Sequence, residues 1–296
     1  MRTKRNAARG FSTAMRKKRA LKPAMLRLYS YAYKTQFRNM NKPNADMTAN
    51  GRHFGLVCAG VGGIEIRPED LSEDLRNCLR VNLGLRFNGQ DTKTFDGKVV
   101  DMIGGDVRET HRDPPAAWLA RLFHLSLCQT KNFGATTLGM ASVIGQKLSY
   151  LNIGDVLIQV FRWDSALKCV KLIFESNTQR VGVSCASGED RIRTPKLIEL
   201  YTPEYRTHDN ITNIVGQADY GVVDVCPRDV VIICSDGVHD NVPIRFVMST
   251  LEAAYHSDAF EPNEVAHKLT EEAKQIYVPR ADDIAVVVGL IDTIRD

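Results

Sequence analysis

The 296-residue chain is 44% hydrophobic and 25% charged, the balance of a soluble globular protein, and no run approaches the ~18 consecutive apolar residues that a membrane span needs. Its seven cysteines, at 58, 78, 128, 169, 185, 226 and 234, are odd in number and show no C-x-x-C spacing, which argues against a disulfide framework or zinc knuckle and for buried thiols in a reducing compartment. The net charge of +4 divides unevenly: residues 1–46 carry 13 Lys and Arg against the one acid Asp46, and the remaining 250 residues carry 26 against 34.

A basic arm over residues 1–43 therefore precedes an acidic globule over 44–296, an asymmetry that points to targeting or to a polyanion. Met1–Ala20 is rich in Arg, contains Ser12 and Thr13 and lacks acids, as mitochondrial transit segments do. Arg16, Lys17, Lys18 and Arg19 form a compact cluster, followed by Lys22, Arg27, Lys34, Arg38 and Lys42 with Tyr29, Tyr31, Tyr33 and Phe37 interleaved. Cations neutralise phosphates and aromatic rings stack on bases, so this composition suits RNA. A mitochondrial matrix location and RNA contact are compatible expectations. Such an arm has little to bury against its ordering entropy and is expected to need a partner surface.

In the globule, His53–Ala59 reads as a strand running into the glycine loop Gly60-Val61-Gly62-Gly63. From Pro68 to about Phe87, Leu71, Leu75, Leu79 and Leu83 recur at helical spacing. Residues 88–112 read as an irregular connection, and Pro114-Pro115 opens a second helix through Leu127. The period then changes. Ala135–Ile144, Lys147–Ile153, Val156–Trp163 and Cys169–Glu175 form a predicted meander with turns at Gly145-Gln146 and Gly154-Asp155. Residues 178–195 are polar and read as a loop. Lys196–Tyr201, Tyr220–Val225 and Val230–Cys234 are predicted strands, Val242–Tyr255 and Pro262–Ile276 predicted helices, and Asp283–Ile291 a closing strand. Strands and helices in blocks, without βαβ alternation, point to an α+β fold: antiparallel sheets flanked by helices.

Four segments carry a more specific signal. They are Leu56-Val57-Cys58-Ala59-Gly60-Val61-Gly62-Gly63; Gly134-Ala135-Thr136-Thr137 with the turn Asn152-Ile153-Gly154-Asp155; Ser235-Asp236-Gly237-Val238-His239-Asp240-Asn241; and Asp282-Asp283-Ile284-Ala285-Val286-Val287-Val288. In this order and spacing they resemble the motifs of the metal-dependent type-2C (PPM) serine/threonine protein phosphatases, over about residues 44–292. The Gly-Val-Gly-Gly form is most similar to the small organellar branch. The resemblance implies a four-layer αββα sandwich and a site of two Mg or Mn ions bridged by a carboxylate and a water.

Carried over position by position, the resemblance makes Asp236 and Asp282 metal ligands, Asp240 a further aspartate beside the site, and Gly60 a backbone-carbonyl ligand. The bridging aspartate, however, is Ala59. In the upstream acidic turn, Asn44-Ala45-Asp46-Met47, Ala45 stands where the family has a second-metal glutamate. Two dications ~4 Å apart repel strongly and need an anion between them, which a methyl group does not supply. The resemblance then implies that no catalytic set is intact and no cofactor is required, with a residual weak Mg or Mn site on Asp236, Asp282 and Gly60 as the alternative to acids that bind nothing. Glu65, six residues past Ala59, would need a rebuilt loop to substitute. The stretch Cys185-Ala186-Ser187-Gly188-Glu189-Asp190-Arg191 fits the C-x-x-G-x-x-R loop of cysteine phosphatases, but Glu189 and Asp190 place like charge beside a phosphate dianion, so it reads as a chance match. The expectation is a pseudophosphatase acting as a binding or scaffold factor, within a mitochondrial ribonucleoprotein such as an assembling ribosome. The alternative is a slow or one-metal phosphatase acting on mitochondrial phosphoproteins.

Overall fold

The computed structural model describes residues 26–35, 44–51, 53–61, 68–87, 115–144, 147–181, 194–200, 203–257, 259–275 and 282–293. Among the described residues, eleven strands build two antiparallel sheets and two more form a small separate ribbon. The first sheet runs in the order β1 (Leu26–Thr35), β13 (Ile284–Thr293), β12 (Val230–Cys234), β6 (Leu157–Asp164) and β7 (Cys169–Glu175). The second runs β11 (Asp219–Asp224), β5 (Lys147–Ile153), β4 (Gly134–Ile144), β3 (Phe54–Gly60) and β2 (Met47–Asn50), with β10 (Ile198–Leu200) on the first residues of β4. The ribbon pairs β8 (Arg180–Val181) with β9 (Thr194–Pro195).

Helices cover both outer faces. Helix α1 (Pro68–Phe87) and α2 (Pro115–Gln129) lay Leu71, Leu75, Leu79, Leu122 and Phe123 on Leu56, Cys58, Leu138 and Met140 of the second sheet. A short α3 (His208–Gly216) adds Ile211 and Ile214 to this layer. Helix α5 (Ile244–His256) and α6 (Pro262–Gln275) cover the first sheet, packing Val247, Leu251, Val265 and Leu269 on Ile232, Cys234, Val286 and Val288. Between the sheets lie Val57, Ala59, Val143, Val156, Ile158, Ile233 and Val287. Alternation along β3 thus sends Leu56 and Cys58 to the helices and Val57 and Ala59 to the inter-sheet core. Strands buried on both faces read as continuous apolar runs, and β3 and β12 do so. The four layers are those expected from the sequence.

The predicted strands and helices recur within two residues of their expected bounds. Besides the short β8–β9 ribbon and two single-turn helices, three elements were not anticipated. Strand β2 is only four residues long, too short to show a period. Helix α3 is capped by the Thr207 hydroxyl, which accepts from the Asn210 N–H at 3.4 Å. The third matters most. Leu26–Thr35, inside the segment assigned to the basic arm, is an edge strand paired along its whole length with β13, from Leu26 opposite Thr293 to Thr35 opposite Ile284. Leu28 is buried between the sheets and Tyr33 packs toward α6. The surface that orders this part of the arm is the chain's own sheet, so a boundary at residue 43 cuts through the sandwich. Period-2 alternation in Leu26-Arg-Leu-Tyr-Ser-Tyr-Ala-Tyr carries the signal; charge counting obscures it. The loop expected over 178–195 contains the β8–β9 ribbon, and its residues 182–193, like the connection at 88–112, lie outside the described residues. No helix among the described residues is long and apolar enough to cross a membrane.

Candidate functional site

Antiparallel pairing gathers the sequence-predicted site residues at one end of the sandwich. Strand β12 ends at Cys234 and β13 begins at Ile284, so Ser235-Asp236 and Asp282-Asp283 are neighbours. Ser235 ties the two strands. Its N–H donates to the Ala285 carbonyl at 3.0 Å, and its hydroxyl accepts from the Ala285 N–H at 3.0 Å. Asp236 then opens the single-turn helix α4 (Asp236–His239). Gly237 is required by the close approach that follows, because a Cβ there would sit 2.1 Å from the Asp283 carbonyl oxygen. The Asn241 side chain closes the turn, donating to the Gly237 carbonyl at 2.8 Å.

The second sheet brings the two alanines. Met47 pairs with Cys58; continuing that register one and then two residues further sets Asp46 opposite Ala59 and Ala45 opposite Gly60. The Ala45 N–H donates to Asp283 Oδ2 at 2.8 Å, which binds this segment to the head of β13. Ala59 is 8% exposed and its methyl belongs to the inter-sheet core. Its carbonyl accepts from the Thr136 hydroxyl at 3.0 Å and lies 3.5 Å from that of Thr137. The Gly134-Ala-Thr-Thr motif therefore fixes the end of β3. Gly60, the last residue of β3, lies opposite Thr136.

The carboxylates are crowded. Asp46 is 3% exposed, and its Oδ2 is buried without a hydrogen bond. Burial pushes its carboxyl well above the usual range, the negative charges of Asp236, Asp283 and Asp282 add to this, and a hydrogen bond with Ser235 opposes it in part. Asp283 is raised by burial too, offset by the Ala45 N–H and by Lys34. Asp155, from the Asn152–Asp155 turn, is raised by burial and by Asp236 while Arg180 lowers it. Gly154 allows that turn, with φ of 98°.

Arg180 was not singled out from the sequence, where it lies in a polar stretch without a motif. Its guanidinium takes Asp240 in a two-pronged ion pair, Nη1 to Oδ1 at 3.0 Å and Nη2 to Oδ2 at 3.1 Å. Its Nε reaches Asp155 Oδ2 at 3.3 Å, and Nη2 lies 3.9 Å from Asp236 Oδ2. His239 donates from Nε2 to the Asp155 carbonyl at 2.8 Å, with Nδ1 3.4 Å from Asp240 Oδ1.

Asp236, Asp240, Asp282, Gly60, Ala59 and Ala45 thus converge on one end of the two sheets. Among the described residues, no three His, Cys, Asp or Glu side chains are arranged to hold a metal ion. Asp240 is held by Arg180 and Asp283 by the Ala45 N–H, and alanines stand at positions 45 and 59. The donor set does not fit a carboxylate-bridged metal pair. Elsewhere, Arg16, Lys17, Lys18, Arg19 and Lys22 lie outside the described residues, and Arg27 falls in β1, opposite Asp292 in the register. The loop at Cys185 also lies outside them, and burial pushes the thiol of Cys234 up to about 12 and that of Cys58 higher still, consistent with inert buried cysteines.

No protein-family model matches the chain, and no curated protein matches it. Solved structures do. The catalytic domain of the serine/threonine protein phosphatase PstP, in complex with 2 manganese ions, is 17% identical with a TM-score of 0.56, over 90% of this chain and 99% of that one. The photosystem II phosphatase PBCP is 16% identical with a TM-score of 0.60, over 90% and 100%. A bacterial serine phosphatase is 14% identical with a TM-score of 0.62, over 91% and 100%. With two antiparallel sheets between helical layers and matches spanning these domains from end to end, the chain has the type-2C-like fold of the PPM serine/threonine phosphatases.

Proposed function

We propose that this protein is a pseudophosphatase: a PPM-type domain, impaired in catalysis, that serves as a binding or scaffold factor. The observation that carries the reading is Ala59, opposite Asp46 at the end of β3, where the resemblance calls for the carboxylate that bridges two metal ions. Ala45, one residue before Asp46, weakens a second ligand position in the same place. Without an anion between them, two dications ~4 Å apart repel strongly. A fold kept whole around such a centre suits recruitment better than turnover. The basic residues before β1 support an RNA or ribonucleoprotein partner, and their acid-free composition supports a mitochondrial matrix location, with an assembling ribosome as the setting.

The competing reading, a slow or one-metal phosphatase, draws on the retained Asp236, Asp282 and Gly60. Turnover of a phosphothreonine peptide by the full chain with saturating Mn, beside the Ala45→Glu/Ala59→Asp variant, separates the two. The full chain is needed because β1 lies before residue 43. Inactivity of the unsubstituted protein, with activity gained in the variant, is expected. Robust Mn-dependent turnover by the unsubstituted protein would overturn the proposal.

A further inference from the structure

We propose that Arg180 is the resident cation of this centre, a guanidinium built into the fold that occupies the acidic cluster in place of a divalent ion. The inference rests on the reading above, that the site does not assemble a metal pair, and adds what compensates the acids that remain. Three carboxylates from two segments meet one side chain: Asp155 after the β5 turn, and Asp236 at the head of α4 with Asp240 just past its end. The planar fork satisfies both Asp240 oxygens and still presents Nε to Asp155, a geometry that a lysine cannot reproduce.

The side chain is set in place by its backbone. Gln179, the preceding residue, donates its N–H to the Gly154 carbonyl at 2.7 Å and accepts the Gly154 N–H on Oε1 at 3.0 Å. Its own carbonyl accepts from the Lys196 N–H at 3.0 Å. Arg180 therefore starts from a strand end fastened to the turn that carries Asp155. The guanidinium is 19% exposed, so its ion pairs are only partly screened by water. A divalent ion approaching Asp236 and Asp240 meets this fixed positive charge and has to displace it from Asp240.

Mn(II) binding to the full chain tests this, read from the resonance of the free aquo ion and from thermal unfolding with and without MnCl2. Removing one fixed charge a few ångströms from the ion, in Arg180→Gln, is expected to tighten Mn binding at least about tenfold and to make the unfolding temperature rise with Mn. Adding Asp240→Asn to that variant is expected to abolish the gain. Equal Mn affinity of the unsubstituted and Arg180→Gln proteins, whether tight or absent in both, would overturn the proposal. Should Arg180→Gln not fold, Arg180→Lys keeps the charge without the fork and is expected to give a smaller gain; an affinity equal to the unsubstituted protein's would again overturn it. Equal affinity leaves the argument from Ala59 standing, whereas turnover by the unsubstituted protein sinks that argument and leaves the Mn comparison to be read by itself.

Discussion

The two sheets meet the candidate site with opposite chemistry. On the first, the ends of β12 and β13 present Ser235, Asp236, Asp282 and Asp283, and a single-turn helix presses so close that only glycine fits at 237. On the second, the same end of β2 and β3 presents Ala45 and Ala59, with one buried acid, Asp46, beside them. The polar half is part of the fold's own fastening: Ser235 ties β12 to β13, and Asp283 ties β13 to the segment before β2. Removing Asp283 would loosen the join between β13 and that segment. Ala59 fastens through its backbone, and its side chain is core. The comparison teaches that side chains at the same end of the sandwich differ in what they do for the fold: Ser235 and Asp283 hold strands together, whereas Ala59 contributes a backbone carbonyl and a methyl in the core.

The comparison breaks first at Gly237. Gly237→Ala drives a methyl into the Asp283 carbonyl, a backbone atom with nowhere to move, and is expected to cost about 3 kcal/mol or more, read by urea unfolding. A cost below 1 kcal/mol would mean that α4 does not press on β13 as described.

Next comes the reciprocal change on the second sheet. Ala59→Asp buries a carboxylate opposite Asp46 and is expected to destabilise by about 2–3 kcal/mol in metal-free buffer. Mn should recover part of this, since a ligand that binds only the folded state stabilises it. A neutral effect without metal would show that the end of β3 is wetter than its burial implies.

The smallest effect sharpens the account of Asp46. Its folded pKa is raised, so below the unfolded value near 3.8 the protonated group costs nothing, and as pH rises through the folded pKa ionisation removes stability. The groups that face it are Ser235, Asp236, Asp282 and Asp283. Asp46→Asn is expected to stabilise the protein by about 1–2 kcal/mol at pH 7 and to flatten the fall in stability above pH 4, measured by denaturant titrations between pH 4 and 8. Destabilisation at pH 7 would mean that the Asp46 carboxylate has a counter-charge not seen in the described residues.

Much of this was legible in order along the chain. Apolar runs covered on both faces, Leu spacing in α1 and α2, and Gly-Asp turns are local patterns, and they placed the strands and helices of the sandwich nearly to the residue. The alanine at 59 was legible too, because residue type is read directly from the chain. Strand β1 was not, since its ordering energy comes from β13, at the other end of the chain, and composition alone made it look like a solvated arm. Arg180 was equally hidden. A basic residue in a polar stretch has no local signature; its meaning comes from three carboxylates on other segments that only folding brings within 4 Å. Residue identity decided that alanines stand at 45 and 59, and tertiary structure decided which side chains meet them at that end of the sheets, because charge pairing depends on distance in space and local patterns record only distance along the chain.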